Sequence, residues 1–139
     1  MLSKIAVAAT LAVSLVFAGS AFAGKTASSS IAGPYVVGAS TNASLAGAST
    51  TAPQFGQTVT FDVSTSATSN PFVNLNCYQN GVLVMNSWSA FFSGGTNQNF
   101  GLYSPSWQGG AANCTADLGM LTNNGKWKVL ASTSFSVSA

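Results

Sequence analysis

The chain has 139 residues, enough for one domain, and only 4% of them are charged, against about 25% in an average soluble domain. Histidine and arginine are absent, the acids are Asp62 and Asp117, and the lysines are Lys4, Lys25, Lys126 and Lys128. A formal charge of +2 excludes the phosphate neutralisation that nucleic-acid binding requires. Solubility must come from Ser, Thr, Asn and Gln, a tendency of extracellular rather than cytosolic proteins.

The chain opens like a signal peptide. Lys4 supplies a positive charge, residues 5–17 (IAVAATLAVSLVF) an apolar run, and Ala21-Phe22-Ala23 an A-x-A cleavage site. Residues 1–23 are therefore expected to be removed, which predicts a secreted, extracellular or periplasmic protein. The apolar run is short for a membrane span of about 20 residues, and no second such run follows it. Cys77 and Cys114 are the only cysteines, and in an oxidising compartment two such thiols are expected to pair. Two thiols without histidine cannot complete a tetrahedral zinc site, and no C-x-x-C redox motif is present.

Residues 24–52 are rich in Gly, Ala, Ser and Thr. They begin as a flexible lead-in, with a first strand expected at Pro34-Tyr35-Val36-Val37. Residues 40–51 read either as a weakly paired edge strand or as a linker. The domain proper is expected over residues 53–139. In QTVTFDVST, Val59, Phe61 and Val63 alternate with polar residues, as in a half-buried strand.

Residues 71–88, PFVNLNCYQNGVLVMNSW, read as a β-hairpin. Asn80-Gly81 supplies the two residues of positive φ that a type I′ turn needs. That turn sets Gln79 opposite Val82, Cys77 opposite Val84, Leu75 opposite Asn86 and Val73 opposite Trp88. The inward row is then Val73, Leu75, Cys77, Val84 and Trp88, with Asn86 the polar exception. A short strand is expected over residues 98–103, then a loop with Pro105 and Trp107.

From Ala112, the residues Cys114, Ala116 and Leu118 alternate with Asn113, Thr115 and Asp117. A two-residue turn at Asn124-Gly125 returns the chain into a last strand over residues 126–137. Leu118 then faces Ala131, Ala116 faces Thr133 and Cys114 faces Phe135. Val129, Ala131, Thr133, Phe135 and Val137 share the inner face, and parity places Trp127 inward as well. Short strands with turns between them, and no helical period, indicate an all-β sandwich.

Four stretches of this chain resemble an immunoglobulin-like domain. GQTVTFDVST is similar to its B strand, FVNLNCYQNGVLV to its C strand and the strand after it, GGAANCTADLGML to F and KWKVLASTSFSV to G. The resemblance extends to small secreted bacterial proteins carrying such a domain, mostly without an assigned activity. It implies an immunoglobulin-like antiparallel β-sandwich. In that family C and F are neighbours in one sheet, so a Cys77–Cys114 bond would cross between adjacent strands. Cys77 stands where the family places its core tryptophan, and Ala112 stands in place of the corner tyrosine. Trp88 or Trp107 is then left to fill the volume beside the bridge.

Function is less determined. No histidine is present to act as a general base, and there is no G-x-S-x-G elbow. Asp62 and Asp117 fall on strands that the family places in opposite sheets. A non-enzymatic protein without cofactor is expected, with a structural or protein-interaction role at the cell envelope. The alternative is a carbohydrate or cell-surface binding module. Its ligand residues would be Phe72, Asn74, Asn76 and Tyr78 on the outward face of the C strand, extended by the loop aromatics Phe91, Tyr103 and Trp107.

Overall fold

Alternating apolar and polar residues dictate sheets with one wet and one dry face, and two such sheets must pack dry face to dry face. The computed structural model describes residues 26–38, 52–95 and 98–139. The signal peptide expected over residues 1–23 and the undecided stretch 40–51 lie outside them.

Among the described residues, β1 (Ser29–Val36), β2 (Thr58–Thr65) and β5 (Phe100–Gly101) form a three-stranded sheet in the order β1-β2-β5. β3 (Phe72–Gln79), β4 (Val82–Ala90), β6 (Ala112–Leu121) and β7 (Trp127–Val137) form a four-stranded sheet in the order β4-β3-β6-β7. All neighbouring strands run antiparallel. The all-β sandwich read from the sequence is therefore observed.

β1 starts earlier than expected. Ser29 and Ser30 are paired with Thr65 and Ser64, so the serines read as a lead-in belong to a strand. Their hydroxyls explain the pairing: Ser29 and Thr65 share a side-chain hydrogen bond of 2.7 Å, the cross-strand contact available to such residues. β5 is shorter than expected, pairing only through Thr58↔Gly101 and Val59↔Phe100.

Between the sheets lie Val59 and Phe61 of β2, Val73, Leu75 and Cys77 of β3, and Ala112, Cys114, Ala116 and Leu118 of β6, all buried. Phe100 joins the layers, in edge contact with Phe61 at 5.8 Å and stacked on Phe91 at 6.1 Å. Trp107 is fully buried and meets Phe55 edge-on at 5.3 Å. Ser138 is tied to the segment that leads into β2 by Phe55 N–H to Ser138 O and Ser138 N–H to Pro53 O.

β3 and β6 are the central strands of the larger sheet. Cys77 lies directly opposite Cys114 in their ladder, and the two are disulfide-bonded with Cα atoms 4.1 Å apart. Neighbouring strands can approach this closely at a non-hydrogen-bonded pair. The bond closes a separation of 37 residues. Replacing both cysteines by alanine should therefore cost about 4 kcal/mol on the chain-entropy account. A lowered urea midpoint, with a slope that rises as the uncrosslinked denatured chain exposes more surface, would report it.

The two outer strands depart from simple alternation. In the first hairpin Asn80 (φ 49°) and Gly81 (φ 78°) adopt the expected turn, and Gln79↔Val82 and Tyr78↔Leu83 follow from it. Cys77 then pairs with Met85, not Val84. Val84 is the extra residue of a β-bulge, where two residues on one strand oppose one on the other. Val84 and Met85 are both buried, so two consecutive side chains enter the core. Beyond the bulge the parity of β4 is reversed: Asn86 pairs with Asn76, Ser87 with Leu75, and Trp88 with Asn74. The expected pairs Leu75–Asn86 and Val73–Trp88 are thereby corrected.

The second hairpin contains two departures that compensate. Its turn runs from Thr122, whose carbonyl accepts from Gly125 N–H, and Thr122 N–H bonds Lys126 O. Among the described residues Asn80 is the only non-glycine with positive φ, so Asn124 does not take part in a type I′ turn. The loop is instead Asn123-Asn124-Gly125, with only Gly125 (φ 71°) left-handed, as in a type I turn closed by a left-handed residue. This shifts the pairing to Leu121↔Trp127 and Gly119↔Val129. A bulge at Leu130 then restores Leu118↔Ala131, Ala116↔Thr133 and Cys114↔Phe135, the pairs read from the sequence. Val129 is consequently turned out and 48% exposed, which corrects its expected place on the inner face.

Candidate functional site

The bulges decide what the outer face of the larger sheet presents. The paired strands place side chains in rows across it: Trp88, Asn74, Asp117 and Ser132 in one, and Asn86, Asn76, Thr115 and Ser134 in the next. A row with Phe72, Gly119 and Val129 lies on one side, and a row with Leu83, Tyr78, Asn113 and Ser136 on the other.

Trp88 and Trp127 were both expected inside. Instead Trp88 is 50% exposed and Trp127 is half-buried. Each follows the parity set by the bulge in its own strand. They stand on the two edge strands, yet their rings meet edge-on with centroids 4.6 Å apart. Adjacent strands are about 4.8 Å apart, so both indoles must lean over β3 and β6 to touch. Gly119 makes room for this: a Cβ there would lie 2.4 Å from Trp127 Cζ2 and 2.6 Å from Lys128 O. Asn74, although on the outer face, is only 4% exposed, as expected for a residue beneath this indole roof.

The roof is joined to a chain of amides. Trp88 Nε1–H donates to Asn86 Oδ1 at 3.1 Å. Asn86 Nδ2–H donates to Asn76 Oδ1 at 2.6 Å, Asn76 Nδ2–H to Asn74 Oδ1, and Asn74 Nδ2–H to Ser87 O at 3.4 Å. All four bonds run in one direction, from the indole to the backbone of β4, so each polarises the next. On the far side Ser132 Oγ–H donates to Asp117 Oδ1, Thr115 and Ser134 share a hydroxyl bond, and Ser136 Oγ–H donates to Asn113 Oδ1. These bonds tie the polar side chains to one another across the face.

Several residues read from the sequence take these places. Asn74, Asn76 and Tyr78 share the outer face, and Tyr78 is 40% exposed. Phe72 shares it too but is half-buried in edge contact with Phe92 at 5.6 Å. Trp107 does not belong to this surface. Its backbone N–H bonds Ser104 Oγ, its indole N–H donates to Gly110 O, and its ring fills the core. Ser104 Oγ–H in turn donates to Val84 O at the bulge, so the loop carrying Trp107 is pinned there. Phe91 is buried as well. Tyr103 is exposed, but its ring lies against Gly101 of β5, in the other sheet.

Trp88, Asn86 and Trp127 complete the surface and were missed. An apolar residue at the bulge looks like any other core residue in sequence, and nothing there marks a change of parity. The one available signal was Asn86, a polar residue left stranded in the expected inner row. A concavity of about 370 Å³, open to solvent, lies at one end of the sandwich beside Thr65, Thr68, Pro71 and Phe92. Two of its hydroxyls are engaged in local turns, Thr65 Oγ1 with Ala67 N–H and Thr68 Oγ1 with Asn70 N–H.

Asp62 and Asp117 stand on different sheets. Among the described residues no cluster of His, Cys, Asp or Glu is able to hold a metal ion, and no helix is long and apolar enough to cross a membrane. No buried side-chain nitrogen or oxygen among them lacks a hydrogen-bond partner. No family model, curated protein or solved structure matches the chain.

Two substitutions separate the roof from the core. Gly119→Ala should force Trp127 off the sheet, at a cost of about 1–3 kcal/mol for overpacking. Loss of the Trp–Trp exciton couplet in far-ultraviolet circular dichroism would report the ring displacement. Trp107→Ala should cost about 3–5 kcal/mol as a large-to-small core change, visible in chemical denaturation, while the couplet persists under native conditions.

Proposed function

We propose that this protein is a secreted, non-enzymatic, immunoglobulin-like domain that works at the cell envelope by docking another component on the outer face of its larger sheet. The observation that carries the reading is the outward Trp88–Trp127 pair beside a prearranged amide chain. An exposed tryptophan packed on a half-buried one, with the exposed side chains of Leu121 (57%) and Val129 nearby on β6 and β7, is the kind of surface that marks an interaction site. Tryptophan is also the residue most often found to dominate binding energy when it becomes buried in a complex.

The disulfide supports an oxidising compartment, in keeping with the expected signal peptide. Absence of catalytic activity is inferred from the chain's chemistry: no histidine is present, and its acids stand on separate sheets. Composition by itself favours a structural or protein-interaction role. The polar centre of the face favours the alternative occupant, a carbohydrate.

The reading is tested by sedimenting purified protein with washed envelopes from the producing cell. The wild type should co-sediment saturably. Trp88→Ala should lose about thirty-fold in affinity, the magnitude of a tryptophan hot spot of about 2 kcal/mol. Equal binding by the variant would remove this face from the interaction.

A further inference from the structure

We infer that the outer face of the β4-β3-β6-β7 sheet is a binding site for a neutral oligosaccharide, with Trp88, held edge-on against Trp127, as its stacking ring. The inference rests on the docking role proposed for this face and names the class of its ligand.

Protein interfaces have an apolar, desolvated centre and a polar rim. This face is arranged the other way. Its two central rows carry Asn74, Asn76, Asn86, Thr115, Asp117, Ser132 and Ser134, with Trp88 the one aromatic among them, rooted on the edge strand β4 and leaning over Asn74. Amides and hydroxyls both donate and accept, as sugar hydroxyls do, and the apolar faces of sugar rings match aromatic rings.

The internal bonding leaves capacity for a ligand. Asn86 uses one amide hydrogen for Asn76 and one oxygen contact for Trp88. Its second amide hydrogen and second lone pair remain, and Asn86 is exposed. Asn76 is used in the same way, once as donor and once as acceptor. Because these groups are held in place already, binding would not need to order them. From the Trp88 row to the Tyr78 row the strand advances four residues, Asn74 to Tyr78, or about 13 Å. That length suits several linked sugar units rather than one.

Charge selects among saccharides. Asp117 is the only ionisable acid or base in these rows, and none of its row neighbours Trp88, Asn74 and Ser132 is cationic. Lys126 and Lys128 belong to the hairpin at the end of β6 and β7. A chain of acidic sugars would therefore place like charge beside Asp117, whose own row holds no cation, the lysines standing on either side of Trp127 instead. A neutral chain would accept the carboxylate as a hydrogen-bond acceptor.

The experiment titrates the purified protein with neutral oligosaccharides of glucose, xylose, mannose and N-acetylglucosamine, and with an acidic oligogalacturonate of equal length. Binding is read by tryptophan fluorescence and by calorimetry. At least one neutral chain should bind, more tightly as it lengthens, and the acidic chain at least ten-fold more weakly. Trp88→Ala should weaken the neutral interaction about thirty-fold. Asp117→Asn should narrow the gap between neutral and acidic chains while retaining the bond from Ser132. The exciton couplet of Asp117→Asn and the intact disulfide of both variants check that the fold is retained. Binding of no oligosaccharide, or equal binding of the acidic chain, overturns the inference. If Trp88-dependent binding to envelopes persists in that case, the docking face stands and its partner is a protein; if it is absent too, the docking role falls with it.

Discussion

The pairing of β3 with β6 is the constraint on which the rest of the larger sheet depends. These strands occupy its centre, and the Cys77–Cys114 bond joins them at directly opposed positions. A slip of one residue would turn every side chain of either strand to the other face, and the covalent bond forbids it. With this register held, Leu75 stays opposite Ala116 inside while Asn74 and Asn76 stay opposite Asp117 and Thr115 outside. Both the core and the polar rows of the outer face result from that one alignment.

The outer strands are free to depart from this frame, and each does so once. A single extra residue, Val84 in β4 and Leu130 in β7, admits two neighbouring side chains to the core and reverses the inward–outward parity of the strand on its far side. The gain to the core is direct, since Val84 and Met85 are both buried. The consequence for the surface is larger. Both reversals present a tryptophan on the same wet face, and the missing side chain of Gly119 lets the two rings meet across the sheet. Val84 also keeps a structural role, because its carbonyl accepts from Ser104 and so positions the loop that delivers Trp107 to the core.

Chemically, the resulting face is rigid, nearly uncharged and rich in groups that both donate and accept. Such a surface can hold hydroxyl groups in defined positions. Its aromatic pair is rooted on the two edge strands and leans over Asn74, with Asn76, Asn86, Thr115 and Ser134 in the row beside it. This distribution, more than the presence of aromatics as such, supports recognition of an extended polar chain rather than a protein.

Much of the architecture was legible in the residues themselves. Alternation in residues 57–65, 72–79 and 112–118 names the inward side chains of β2, β3 and β6, because the period of a strand is local and needs no partner to express it. Asn80-Gly81 likewise specifies its turn by the conformational freedom of those two residues. The disulfide was legible once export was assumed, and with it the outward positions Phe72, Asn74, Asn76 and Tyr78. The outward placement of Trp88 and Trp127 was not, and the residues alone leave Trp107 open between the core and a loop surface. A bulge is set by what the opposite sheet can accept into the core, and Val84, Met85, Leu130 and Ala131 satisfy that demand without any local mark. The second hairpin shows the same division: its distant register was read correctly although its turn was not, because a three-residue loop and a bulge cancel. Local periodicity determined which residues of β2, β3 and β6 face inward. Only packing between the sheets decided where that periodicity breaks, and therefore which aromatics reach the surface.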